Sequence, residues 1–275
     1  MNHLVLTAYT DVLESIRAKW FLVYTTVFGG ILVLLFLFGI TESRVMGFTG
    51  LSRLLVTYIQ LSMAILPVFV LITTVRSVAG DREAGVFEYL LALPIGLAAW
   101  YWGKLLGRFA VVFLPVVLAM FGAVVWGVLR GAEVPWALLL YYTALLMALS
   151  WCFLGIGMLI STLARSADVA QGAAFVVWLS LLLFLDLVLL GVMIRAALPP
   201  DAAVAIALAN PLQVFRTAAM MLFDQQLVLL GPSAYLILDH FGTIGYMVYG
   251  LVYPTLLGTA CAWLGYRLFR RSDLP

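Results

Sequence analysis

Six stretches of this chain run for about 20 or more residues with almost no charge: 21–40, 54–75, 105–129, 136–160, 173–194 and 246–269. At about 1.5 Å of rise per residue, a helix of that length crosses a hydrocarbon core of roughly 30 Å. Composition agrees with this. The 275 residues are 65% hydrophobic and 10% charged, with a mean hydropathy of +1.14, whereas soluble domains carry about 25% charge. So much apolar surface cannot be hidden in one soluble core. The expected class is an all-α integral membrane protein with six transmembrane helices, read as one transmembrane domain over residues 1–275. A net charge of +2 is too small to imply a nucleic-acid partner. Cys152 and Cys261 stand singly in apolar runs and read as small buried side chains, with no disulfide framework.

The connections carry the orientation. Residues 1–20 precede any spanning run. Leu4, Ala8, Val12, Ile16 and Trp20 form a row, Val5 and Leu13 widen it, and Asp11, Glu14, Arg17 and Lys19 take much of the remaining surface. This predicts an interfacial amphipathic helix with Trp20 at headgroup depth. Its late positive charges and long following apolar run do not fit a signal peptide. Pro67 and Pro115 fall inside the second and third runs, where kinks are expected. With six spans, ten of the 15 Lys and Arg residues fall on the side of the termini and five on the other. That bias puts both termini, the segment after the second span and the 161–172 loop in the cytoplasm.

The most charged short segment is Gly80-Asp81-Arg82-Glu83-Ala84-Gly85-Val86-Phe87-Glu88-Tyr89-Leu90-Leu91-Ala92-Leu93-Pro94. Gly85 divides it into an acidic half and an apolar half, and Pro94 ends any helix before it. Val86, Phe87, Leu90, Leu91 and Leu93 can share one face, with Glu88 on the other. The expected product is a short amphipathic helix at the membrane surface over 81–93, placed to receive a push from a soluble partner. A solvated charged loop is the plainer alternative.

The 195–245 stretch is less apolar than its neighbours. Pro199-Pro200-Asp201 opens it, Asn210-Pro211 interrupts it, and Leu212, Phe215, Ala219, Leu222 and Phe223 then follow a helical period up to a second break at Gly231-Pro232. One or two helices lying along the outer surface, or re-entering part way, are expected. Asp186, in the middle of the fifth run, is a candidate pathway residue, since a carboxylate at that depth is costly. Gly103-x-x-x-Gly107 could allow close helix approach, but such pairs are common and this one reads as incidental.

Catalytic patterns are lacking. Between Gly96 and Gly103-Lys104 the spacing is wrong for a phosphate-binding loop, and Leu105 stands where Ser or Thr is needed. His3 and His240 are the only histidines, and Ser150 is followed by Trp151 and Cys152, so no zinc-hydrolase or serine-hydrolase signature exists. Met220, Met221, Asp224, Asp239 and His240 could bind copper, but their spacing matches no compact site, and no metal site is assigned. No enzyme activity and no cofactor are expected in this chain.

The run Asp81-Arg82-Glu83-x-Gly85-x-x-Glu88-x-Leu90-Leu91-x-x-Pro94, after a second span and before Gly103-Lys104, resembles the signature of the ABC-2-type permeases, the membrane subunits of ABC exporters. Val86 stands where that family usually has Thr. The resemblance extends to the amphipathic N-terminal helix, six spans and outer helices before span six. Within the family the chain is most similar to the permeases of nitrous oxide reductase maturation transporters, in length, in Asn210-Pro211-Leu212-Gln213-Val214-Phe215-Arg216 and in Leu230-Gly231-Pro232.

The resemblance implies a bacterial inner-membrane subunit that pairs with a second copy of itself and with two copies of a separate ATPase, which would bind ATP and Mg. It also implies a periplasmic accessory protein and a part in building the enzyme's copper centre. Asp81, Arg82, Glu83, Gly85, Phe87, Glu88, Leu91 and Pro94 would couple to the ATPase. Residues 195–245 would hold the periplasmic partner near Phe215, Arg216, Met220 and Phe223, with lipid as the alternative cover. A generic exporter of lipid, peptide or drug, and a self-sufficient secondary transporter, remain as alternatives at this point.

Overall fold

The computed structural model describes residues 3–17, 21–23, 25–27, 30, 50–87, 89, 96–129, 136–184, 200–221 and 232–272. The elements among them are α1 (His3–Arg17), α2 (Gly50–Thr74), α3 (Arg76–Glu83), α4 (Leu97–Leu129), α5 (Trp136–Leu163), α6 (Ala167–Leu179), a π-helical turn (Ser180–Phe184), α7 (Pro200–Ala209), α8 (Pro211–Met220) and α9 (Pro232–Ser272). All are helical, and no strand occurs among the described residues. Among the described residues, four helical stretches are long and apolar enough to cross a membrane: Ser62–Glu83, Leu97–Gly122, Leu139–Leu163 and Gly242–Arg271. Ala167–Leu183 is a shorter apolar helix. The protein is a multi-pass membrane protein. The first expected span, 21–40, lies mostly outside the described residues, and so does Asp186.

α5 and α9 form the axis of the bundle, and glycine sets their separation. A Cβ on Gly155 would fall 1.9 Å from the Gly258 carbonyl oxygen, and one on Gly258 would fall 2.6 Å from the Trp151 oxygen and 2.7 Å from the Cys152 Cα. The two backbones are therefore in direct contact. Lipid supplies little hydrophobic drive between spans, so close van der Waals packing over small residues holds such a pair. Around the crossing, the Trp151 indole N–H donates to Thr259 Oγ1 at 2.9 Å, and the Tyr101 hydroxyl from α4 donates to the Ala262 carbonyl at 3.0 Å.

Helix starts differ from expectation at three spans. α6 begins at Ala167, inside the expected 161–172 loop. α4 begins at Leu97 rather than Leu105, because Trp100 and Tyr101 are core residues and not connection. At 33 residues it is about 50 Å long, more than a bilayer core requires. α9 begins at Pro232 and changes direction at Gly242, whose φ of +63° favours glycine. Pro67, Pro115 and Pro254 lie inside α2, α4 and α9.

Of the stretch expected to lie along the outer surface or to re-enter part way, α8 is folded into the bundle. Asn210 caps α8 with its side-chain oxygen, accepting from Leu212 N at 3.0 Å, and Pro211 takes the first helical position. The Asn210 Nδ2 donates to Leu181 O of the π-helical turn at 2.8 Å, where the widened ladder leaves carbonyls for outside donors. The Tyr249 hydroxyl donates to Leu208 O at 3.0 Å, and Tyr253 donates to Ala209 O. The α7–α8 corner is thus tied to both neighbouring helices. α8 is buried on nearly every side against α2, α5 and α9, and a Cβ on Gly250 of α9 would meet Ala218 Cβ at 2.7 Å.

α1 lies along α4 with its polar side inward. Cβ atoms on Gly103 and Gly107 would come within 2.8 Å of the Leu4 and Ala8 carbonyl oxygens. The Gly103/Gly107 pair is therefore the seat of α1, which corrects the expectation that it was incidental. Val5, Leu6, Tyr9, Leu13 and Ile16 face outward and are exposed. An amphipathic helix placed this way offers its apolar stripe to lipid.

Candidate functional site

The Gly80–Pro94 segment begins as a continuation of α2. A single turn residue, Val75, separates α2 from α3, and the candidate span Ser62–Glu83 runs through both. The acidic half is therefore regular helix, set off from the second span by the turn at Val75. α3 ends at Ala84 and Gly85. Ala84 N donates to Gly80 O at 2.9 Å, Gly85 N donates to Arg82 O at 3.1 Å, and Gly85 has a φ of +68°. The division of the segment at Gly85 follows from that left-handed residue. Val86, Phe87 and Tyr89 are helical beyond it, while Glu88, Leu91 and Pro94 lie outside the described residues.

What holds α3 comes from far along the chain. Its own N-cap, Val75, offers no side-chain hydrogen bond. Ser161 on α5 supplies the acceptor instead, taking Val78 N at 2.9 Å and Ala79 N at 3.0 Å on one buried hydroxyl oxygen. This is an N-cap supplied by another helix. In return, α3 caps both sides of the α5–α6 elbow. Arg82 Nη1 donates to Ala164 O at 2.7 Å and Nη2 to Thr162 O at 3.3 Å, which satisfies carbonyls at the end of α5. Glu83 Oε2 accepts from Ala167 N at 3.1 Å, at the start of α6, beside the Ser166 cap on Val169 N. A carboxylate at a helix N-terminus and a guanidinium at a C-terminus each match the local dipole.

A second set of charges joins α3, α2 and α1 each to α4. Lys104 Nζ pairs with Asp81 and donates to Ser77 O at 3.0 Å. One turn on, Arg108 Nη1 donates to Thr73 O at 3.0 Å, and its Nε lies 3.2 Å from the Asp11 carboxylate. Asp11 is only 4% exposed, although the helical pattern of α1 put it on a solvated side. Burial raises its pKa above the usual carboxylate range, and Arg108 and then Lys104 oppose that rise.

The remaining side is aromatic. Phe87 meets Trp100 with ring centroids 5.4 Å apart and Phe269 at 5.3 Å, and Trp100 stacks on Phe269 at 5.3 Å. The segment after Gly85 thus rests on the start of α4 and the last turns of α9. Asp81, Arg82, Glu83 and Phe87, singled out as contact residues, all have partners within the chain. Exposed at this end are Arg76, Glu83, Ala84, Arg165, Asp168 and Tyr89, the last at 75%. Ser161, Lys104, Arg108 and Asp11 escaped notice as site residues. Lys104 and Arg108 carried a signal, four residues apart at the start of an apolar helix, but they counted only toward orientation.

The outer candidates fare differently. Phe215 is 1% exposed and Met220 5%, with Phe215 against Tyr142 at 6.1 Å between ring centroids. Both are core residues, which corrects their assignment to a docking surface. Arg216 is half-buried, and Phe223 lies outside the described residues. Among the described residues no cluster of three or more His, Cys, Asp or Glu is close enough to hold a metal ion.

The sequence model of the ABC-2 family transporter protein family matches residues 7–274. Two relatives are each named "Probable ABC transporter permease protein NosY". The one from Stutzerimonas stutzeri is 24% identical over 232 residues, covering 82% of this chain and 83% of the relative. That from Pseudomonas aeruginosa is 25% identical over 224 residues, covering 79% and 81%.

Proposed function

Because the chain belongs to the ABC-2 transporter family as a membrane permease, we propose that it has six spans in the bacterial inner membrane, with both termini and the 81–93 segment in the cytoplasm. It works as a homodimer with two copies of a separate ATPase, and that partner holds the ATP and Mg. The observation that carries this reading is the fixing of α3. A segment with one exposed aromatic residue, Tyr89, is joined to α4, α5 and α6 through Asp81, Arg82, Glu83, Ser161 and Lys104. A push on it reaches α5, and through the Gly155–Gly258 contact it reaches α9, so ATPase closure would move spans as a body. The test is co-purification of the full-length permease with its ATPase. A Tyr89→Ala change should lower ATP turnover per complex with the permease still inserted. Full turnover in that variant would remove the segment from coupling.

The finer reading is that the transporter serves nitrous oxide reductase copper-centre maturation, with a periplasmic accessory protein on the outer side. Its support is the likeness to the NosY permeases over about four-fifths of both chains. Deleting the gene should yield nitrous oxide reductase lacking its copper centre, read by the enzyme's visible spectrum. A fully loaded enzyme in the deletion strain would leave the general exporter reading, with a lipid, peptide or drug as cargo.

A further inference from the structure

The closing turns of α9 present two unlike faces. Ala262, Gly265 and Phe269 are buried, and Phe269 stacks on Trp100 and Tyr101 of α4. On the opposite side Val248, Val252, Leu256 and Leu264 are exposed as one apolar stripe, and α9 is the least buried of the four spanning stretches. That stripe ends on Trp263, Arg267, Arg270 and Arg271, which share its face at helical spacing and are all exposed. The Arg267 guanidinium lies over the Trp263 ring, 3.6 Å from its centroid. No Asp or Glu occurs from Phe241 to Ser272, and Asp273 lies outside the described residues. Among the described residues none of the three arginines has an ion pair. The α3 acids Asp81 and Glu83 pair instead with Lys104 and the Ala167 amide. Arg270 and Arg271 suit the dipole of the helix end, but Arg267 is folded back onto the preceding turn.

We propose that this face of α9 binds the headgroup of an anionic phospholipid, with its phosphate on Arg267, Arg270 and Arg271 and its acyl chains along Leu256 and Leu264. The proposal rests on the multi-pass membrane reading and not on coupling to the ATPase. Charge selects the occupant: three uncompensated cations at the end of a lipid-facing stripe attract a negative headgroup and gain little from a neutral one. Trp263 fixes the depth, because an exposed indole settles at the level of the headgroups. Its ring holds one flat side of the Arg267 guanidinium and leaves the N–H edge free, which is the geometry for two parallel hydrogen bonds to phosphate oxygens. A guanidinium already held this way loses little freedom on binding.

The experiment reconstitutes the full-length permease with its ATPase into nanodiscs of phosphatidylglycerol and phosphatidylcholine in equal amounts. Native mass spectrometry then reads which lipid stays bound. The wild type should retain phosphatidylglycerol preferentially. Arg267→Gln should lower that preference about fivefold, the effect of one arginine at a lipid surface, and adding Arg270→Gln and Arg271→Gln should lower it more than tenfold. The single change leaves two terminal arginines to keep the orientation, so it remains readable if the triple variant fails to insert. Trp263→Leu keeps every charge but removes the stack and should lower the preference about threefold. Equal retention of both lipids by the wild type would overturn the proposal. So would an equal loss from Arg76→Gln or Arg165→Gln, exposed arginines elsewhere, because that would make the attraction diffuse. Loss of the ATPase from the triple variant, with lipid preference intact, would overturn it too and give the face to the soluble subunit. None of these outcomes changes the Tyr89→Ala test of coupling.

Discussion

α3 and α8 are both short helices that interrupt an apolar chain, and both look like surfaces prepared for a partner, yet they are buried to different degrees. α3 is held by charge. Its Asp81, Arg82 and Glu83 satisfy helix ends and a lysine on other elements, and the segment keeps an exposed side at Glu83 and Ala84. α8 is held by shape. Eight of its ten residues are buried, and small ones such as Ala218 let α9 approach closely. An amphipathic pattern therefore did not separate an outer helix from an inner one. α8 buries Thr217 and its alanines and leaves Gln213 and Arg216, on its polar side, half-buried.

The contrast can be broken by substitution. The largest effect is expected at α8. Phe215→Ala leaves a cavity among Tyr142 and the α8 neighbours, with a loss of about 3 kcal/mol or more, read as lowered unfolding midpoint in detergent. A neutral result there would return Phe215 to the surface. At the charged end, Arg108→Ala strands the Asp11 carboxylate in a buried site and should cost about 2 kcal/mol. Adding Asp11→Asn should restore part of that, because no ion then remains to desolvate. Failure of the second change to rescue would show that Arg108 acts through Thr73 alone.

Smaller effects sharpen the same comparison. Ser161→Ala removes the acceptor for Val78 N and Ala79 N and should cost about 1 kcal/mol. The loss should appear as faster amide exchange confined to α3, whereas uniform exchange across the bundle would contradict the cap assignment. Asp11 gives a pH test. Its pKa is raised in the docked state, so docking binds a proton more tightly than the free helix does. The contribution is full below the ordinary Asp range and is lost as pH rises through the raised value. The midpoint difference between wild type and Asp11→Asn should therefore change across that acidic window, and a flat difference would mean that Asp11 is solvated.

Much of the architecture was legible locally. Apolar length gave the spans of α2, α4, α5 and α9, because a helix that satisfies its own backbone in lipid needs no distant residue. Gly85 and Asn210-Pro211 marked real breaks, since a left-handed residue and a capped proline start are properties of the adjacent chain. The exact starts of α4 and α9 were not legible, because Trp100 and Tyr101 belong to a core made by three other segments.

The sequence alone determined that this is a helical membrane protein, where its charged segment lies and which family motif that segment carries, because these depend on composition and near-neighbour spacing. Only the tertiary structure decided which charges face inward. Ser161 caps α3 across 83 residues, Glu83 caps α6 across 84, and Arg108 meets Asp11 across 97. Hydrogen-bond donors left open at a helix end donate to whichever oxygen the packing brings near, and no local pattern records which one that will be.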